Sequence, residues 1–316
     1  MNRRFIVTAD DYGVSPLIDD AIKATVTLGI VTSVACFANG TDGNDQFTMD
    51  SILELEAMNA KPDVGCHFTI TSGNWMSKKK SGLGKKNGKN PKFRSRAWQH
   101  PERALKKDSG DELVEELSSQ VAAFEKAGVE IKHFSDHMGI LSYTKRGMEA
   151  MITVINNYNE TRVVKAPLRN PVFISCVERL DQTCLDKSTM AFRATLGLAI
   201  KNLIQRNSWE EIKIEAVKLN DQLRMVHGAG IRTTDYLIES YYANASRQTL
   251  QCIQRNAPGA RYDISNPISN TDVVSEIMVH LAIGPGNGMT KVDYKAEVKS
   301  LRKHGGVAVK YLKNRG

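Results

Sequence analysis

The chain has 316 residues, of which 41% are hydrophobic and 25% charged, and its formal net charge is +8. That length can bury a substantial core, the composition excludes a disordered or fibrous chain, and no stretch approaches the roughly 20 consecutive apolar residues of a membrane span. Nine basic residues and no acidic one lie between Lys78 and Arg96. The excess charge therefore belongs to one Gly/Lys/Asn-rich segment and not to a folded face, which argues against nucleic acid as a partner.

In chain order the pattern alternates strand and helix. Arg4 to Ala9 is an apolar run, too short for a secretory h-region, that stops on Asp10 and Asp11 and reads as a first strand. Ser15-Pro16 then supplies an N-cap with proline at the first helical position, and the helical stretch to Leu28 stops at Gly29. Ile30 to Ala38 is β-branched, Asp50 to Asn59 has helical spacing, and Val64 to Thr71 is the next strand. The basic segment over 78–96 follows, with two readings: a solvated loop, or a lid that attracts an anionic substrate or surface. Trp75, Phe93 and Trp98 near it either anchor the loop or stack on a sugar ring.

Ser109 to Lys126 reads as a capped amphipathic helix, Val129 to Phe134 as a strand, Met148 to Tyr158 as a helix and Arg162 to Ala166 as a strand ended by Pro167. The region 171–227 carries helical patterning and is expected to add helices outside the sheet. Ile231 to Glu239, Ala260 to Ile264 and Glu276 to His280 are later strands, followed by a Gly-rich loop at Gly284 to Gly288. No linker divides the chain, so a single α/β domain over 1–316 is expected. Five cysteines, Cys36, Cys66, Cys176, Cys184 and Cys252, are an odd number without disulfide or zinc-knuckle spacing. They point to a reducing, cytoplasmic setting.

Several of these strands end on residues that bind metals or move protons: Asp10 and Asp11, His67, His137 and His280. In parallel α/β folds the active site collects at the carboxyl ends of the strands. Each member alone has an ordinary structural explanation, since Asp-Asp before a helix is also a cap and a lone histidine is also a core residue. Adjacent residues of an extended chain face opposite ways, so Asp10 and Asp11 should occupy different positions around one site. His133 and His137 are four apart, but in a strand leaving into a loop, which disfavours a helical two-histidine zinc motif. Taken together, one carboxylate and two imidazoles make a compact N/O metal set, with a further Asp and His as base and acid.

The segments Thr8-Ala9-Asp10-Asp11-Tyr12-Gly13, Gly65-Cys66-His67-Phe68-Thr69-Ile70-Thr71, His133-Phe134-Ser135-Asp136-His137, Thr233-Thr234-Asp235-Tyr236 and Glu276-Ile277-Met278-Val279-His280 resemble, in order and spacing, the motifs of the YdjC/ChbG-like carbohydrate deacetylases. The resemblance implies a distorted TIM-like (β/α) barrel and one divalent metal ion, Mg or Zn, on Asp11, His67 and His137. It further implies Asp10 as general base, His280 as general acid, Lys165 and Asp235 as support for substrate or transition state, an N-acetylated sugar as substrate, and a homodimer. The sequence departs from that pattern at Ser135-Asp136, at Met138-Gly139, at Leu281, and at Lys165, where relatives often carry Arg. Two other functions fit some of the same residues. A non-haem iron oxygenase uses a two-His-one-carboxylate triad, and a polyanion-binding protein would act through the Lys-rich segment.

Overall fold

The computed structural model describes residues 3–29, 31–39, 45–70, 73, 75–77, 110–171, 173–174, 221–239 and 273–280. The basic segment over 78–96, Phe93, Trp98, the expected strand Ala260 to Ile264 and the Gly-rich loop at 284–288 lie outside the described residues.

The first strand, β1 (Arg3–Tyr12), leads into helix α1 (Pro16–Thr27). As the sequence predicts, Ser15 caps this helix with Pro16 at its first position, the Ile18 N–H donating to Ser15 Oγ, and the chain leaves through Gly29 at φ 68°. Glycine reaches that left-handed conformation without a Cβ penalty. Strand β2 (Ser33–Cys36), helix α2 (Asp45–Glu56) and strand β3 (Asp63–Phe68) follow. Beyond the basic segment come α3 (Asp111–Lys126), β4 (His133–Asp136), a 3-10 turn (His137–Gly139) and α4 (Lys145–Glu160). The remaining strands among the described residues are β5 (Phe173–Ile174), β6 (Tyr236–Glu239) and β7 (Val273–Val279). Within the region 171–227, residues 173–174 form a short strand where only helix was expected, and 221–227 are helical as expected.

Among the described residues seven strands form one sheet, all parallel, in the order β4-β3-β2-β1-β7-β6-β5. The sheet is curled and open, flanked by helices, as a distorted TIM-like barrel requires. On β1, Val7 and Ala9 face the helices, where they join Ile22 and Val26 of α1, Leu117 and Val121 of α3 and Met151 and Ile155 of α4 in one buried core. The alternate residues line the concave face, and these are mostly polar: Thr8 and Asp10, Ser33, His67, His133 and Ser135, and Glu276, all buried. Strand periodicity thus sorts apolar side chains outward to the helices and chemistry inward.

The expected strand Arg162 to Ala166 does not form. Val163 and Val164 look β-prone in sequence, yet they are exposed. Asn159 instead grips the chain at both backbone groups of Ala166, accepting its N–H at 2.8 Å and donating to its carbonyl at 2.9 Å. Sheet-like pairing begins only at Pro167. Phe134 N–H donates to the Pro167 carbonyl (2.9 Å), Arg169 N–H to the Phe134 carbonyl (2.8 Å), and Leu168 N–H to the Arg232 carbonyl (3.0 Å). This short bridge carries the edge at β4 toward the residues that enter β6, and it delivers Arg169 to the concave face.

Candidate active site

The site begins with a defect in β1. Thr8 and Ala9 pair in register with Ser33 and Val34, but the register then shifts between Ala9 and Tyr12. Asp11 in that bulge has φ 69°, a left-handed conformation rare for a residue with a side chain. The bulge cancels the alternation expected of neighbouring strand residues, so both carboxylates reach the same imidazole: His67 Nε2 is 3.8 Å from Asp10 Oδ2 and 3.6 Å from Asp11 Oδ1. The turn after the bulge is held by Asp19 of α1, whose Oδ1 accepts the Gly13 N–H at 2.7 Å.

His67 projects from β3 with Nδ1 2.7 Å from Ser135 Oγ on β4. His137 opens the turn after β4, with Nε2 3.6 Å from Asp11 Oδ1 and Nδ1 3.4 Å from Thr69 Oγ1. The turn stays tight because Met138 adopts φ 59° and because Asp136 accepts the Ser142 N–H at 2.7 Å. Phe37 stacks on His67 at 5.3 Å and meets His137 edge-on at 4.9 Å, fixing both rings. His280 follows Val279, which pairs with Ala9, so the register sets His280 on the level of Asp10 one strand away. It is half-buried and close enough to shift the ionisation of Asp10, Asp11 and His137.

The residue that sequence reasoning missed is Arg169. Its Nη1–H and Nη2–H groups donate to Asp10 Oδ2 and Oδ1, both at 2.7 Å, a two-pronged fork that is almost fully buried. Lys165, the cation expected nearby, lies exposed at the amino edge of the sheet, where its carbonyl accepts from Arg232. Asp235 is also exposed and precedes β6, at the same amino edge. The fold therefore gathers Asp10, Asp11, His67, His137 and His280, and leaves Lys165 and Asp235 apart from them. The signal that could have found Arg169 is Pro167, because pairing with β4 starts there and sets residue 169 on the inner face.

Electrostatics follow from this packing. Burial would raise the Asp10 carboxyl, but the Arg169 guanidinium, with help from His67 and His280, holds it below the ordinary carboxylate value. Burial is likewise outweighed at Asp11, where His67, His137 and His280 hold the carboxyl well below its usual range. Burial pushes His137 down to about 4 against the pull of Asp11, so its imidazole is neutral at pH 7. Asp19 goes the other way, raised by burial to about 6 even though it accepts the Gly13 N–H. Because the folded state holds this proton more tightly than the unfolded chain does, a stability penalty grows as pH rises from about 4 through 6. Asp19→Asn keeps an acceptor for Gly13 and lacks the penalty. Its unfolding free energy should therefore gain on the wild type by about 2 kcal/mol between pH 4.5 and 7.5. A difference that stays flat across that range in urea titrations would refute this.

The expected metal is corrected. Among the described residues no group of three or more His, Cys, Asp or Glu is arranged to hold a metal ion. Asp11, His67 and His137 do meet, but both imidazoles address the same oxygen, Asp11 Oδ1, as a carboxylate–imidazole cluster. The bulge at Asp11 sets the direction of that carboxylate, which the order of donor residues along the chain does not carry. The ligand set behind the iron-oxygenase alternative is subject to the same correction.

A curled parallel sheet with a buried Asp/His cluster at its carboxyl edge defines an α/β protein of the distorted-barrel type. The family model described as YdjC-like protein matches residues 4–304, and the chain belongs to that family. It is 30% identical over 137 residues to a carbohydrate deacetylase of Listeria monocytogenes, covering 43% of this chain and 52% of that protein. Against a carbohydrate deacetylase of Oceanobacillus iheyensis the identity is 27% over 141 residues, covering 45% and 56%. The chain thus spans about half the length of the curated relatives it matches. A crystal structure from Enterococcus faecalis V583, described as a candidate cellobiose-phosphate cleavage protein, superposes with a TM-score of 0.56 at 15% identity, over 96% of each chain, and shares the fold. Among the described residues no helix is long and apolar enough to cross a membrane.

Proposed function

We propose that this chain hydrolyses the acetamide of an N-acetylated amino sugar or short oligosaccharide, with Asp10 as general base and His280 as general acid. The observation that carries the reading is the Asp10 carboxylate, held ionised and oriented by the Arg169 fork on the level of His280. The relatives' description as carbohydrate deacetylases supports the choice of bond and substrate class.

Asp10, charged at neutral pH, takes a proton from water as the oxygen attacks the acetyl carbonyl. The tetrahedral oxyanion forms beside His67 and His137, whose rings are held by Ser135, Thr69 and Phe37 at Nδ1 and on their faces, so that an Nε2–H is left to turn toward it. His280 gives its proton to the sugar nitrogen as the C–N bond breaks, and the products are acetate and the free amino sugar. Lys165 and Asp235, at the opposite edge, have no part in these steps.

Acetate release from a panel of N-acetylhexosamine mono- and oligosaccharides tests this. Asp10→Asn removes the base without changing the shape of the side chain, and kcat should fall by about 10² or more. If the wild-type chain releases no acetate from any member of the panel, the assignment fails.

A further inference from the structure

Glu276 is a carboxylate in the middle of the sheet, on β7 between Ile6 of β1 and Leu237 of β6, and it is completely buried. A charge there is costly unless it is paired, and apolar residues would fill the position at less cost. Its partner comes from outside the strand. Glu276 Oε1 accepts the Arg169 Nε–H at 2.8 Å, while the two Nη groups of the same guanidinium bind Asp10. Glu276 Oε2 makes no hydrogen bond among the described residues.

We propose that Glu276 is a positioning residue that fixes the plane of the Arg169 guanidinium and, through it, the orientation of the Asp10 carboxylate; this rests on the reading of Asp10 as the base. The geometry explains why two carboxylates are needed. A guanidinium gripped only at its Nη edge can tilt with the carboxylate it binds, because the rest of the long side chain is flexible. Engaged also at Nε by a group embedded in the sheet, the planar fork has one orientation left. The other inner-face residues of the same strand act in series with it. Met278 Sδ lies 3.4 Å from Arg169 Nη1, and His280 stands on the level of Asp10. Every second residue of Glu276-Ile277-Met278-Val279-His280 thus serves the site, the first from below and the last beside the reacting atoms.

Two variants test the proposal. Glu276→Gln keeps the shape of the side chain and can keep an acceptor oxygen toward Nε, and Glu276→Ala removes the contact. The alanine variant is expected to lose at least tenfold in kcat on the N-acetylated sugar with KM within twofold, and the glutamine variant to recover most of that loss. A residue that only fills the core would affect folded fraction and leave the kcat of the folded enzyme alone. The second readout needs no substrate: the 15N-bound Nη protons of Arg169 should exchange slowly in the wild type and in Glu276→Gln, and rapidly in Glu276→Ala. Unchanged Nη exchange in a folded Glu276→Ala protein overturns the positioning role, whatever the activity. Altered exchange with no acetate release by the wild type leaves the role standing and fails the deacetylase reading instead.

Discussion

Arg169→Met is expected to be among the most damaging single substitutions in this chain, because it leaves Asp10 and Glu276 as two buried carboxylates without the cation they share. Removing one partner of a buried pair costs roughly 3–5 kcal/mol. The sign of its pH dependence follows from the same contacts. Without the guanidinium, the burial that raises the Asp10 carboxyl is opposed only by His67 and His280, so its folded-state pKa rises relative to the wild type. The penalty is therefore largest at neutral and alkaline pH and is relieved as pH falls and Asp10 takes up a proton. Urea denaturation at pH 5 and pH 8 measures it directly, and adding Asp10→Asn to Arg169→Met should restore part of the loss at pH 8. An equal loss at both pH values would mean that Arg169 contributes packing and not charge. On the proposed reading of Asp10 as general base, kcat should also fall by about 10² or more, since Asp10 would lack both its orientation and its fixed charge.

Gly65→Ala carries a comparable expectation from an unrelated cause. Gly65 of β3 pairs with His133 of β4, and a Cβ at residue 65 would fall 2.1 Å from His133 Cε1 and 2.2 Å from its Nε2. The ring cannot swing away easily, because it is fully buried and its Nε2 is 2.8 Å from Ser33 Oγ on β2. Overpacking in a fixed core of this kind costs about 3 kcal/mol. The diagnostic is the double variant: His133→Ala vacates the space the new methyl needs, so Gly65→Ala/His133→Ala should be more stable than Gly65→Ala alone. If Gly65→Ala unfolds at the same temperature as the wild type, the contact between glycine and imidazole does not constrain these strands.

Much of this architecture is legible along the chain. The Ser15-Pro16 start and Gly29 stop of α1, the apolar face of α3 and the β-branched runs of β1 and β2 are local signals, and the elements form where those signals fall. Strand ends were harder to place, as at β4, which occupies His133–Asp136 and not Val129 to Phe134. Val129 and Ile131 are buried without belonging to a strand, so burial and pairing separate there. The clearest failure of local reading is Val163 and Val164, whose β-branched character suggested a strand and whose backbone is instead the exit from α4, secured by Asn159.

By itself the sequence determined the parallel α/β alternation and the chemical inventory of the strand ends, because strand and helix propensity, caps and side-chain type are properties of neighbouring residues. Tertiary structure alone decided how that inventory is used. The bulge at Asp11 turns two carboxylates toward one imidazole, through a left-handed backbone that no residue preference of Asp-Asp calls for. Arg169, and not Lys165, meets Asp10 across a separation of 159 residues, because the bridge between β4 and Arg232 begins at Pro167. Direction and distance between remote segments are set by pairing register and burial, and no local pattern of residue types carries them.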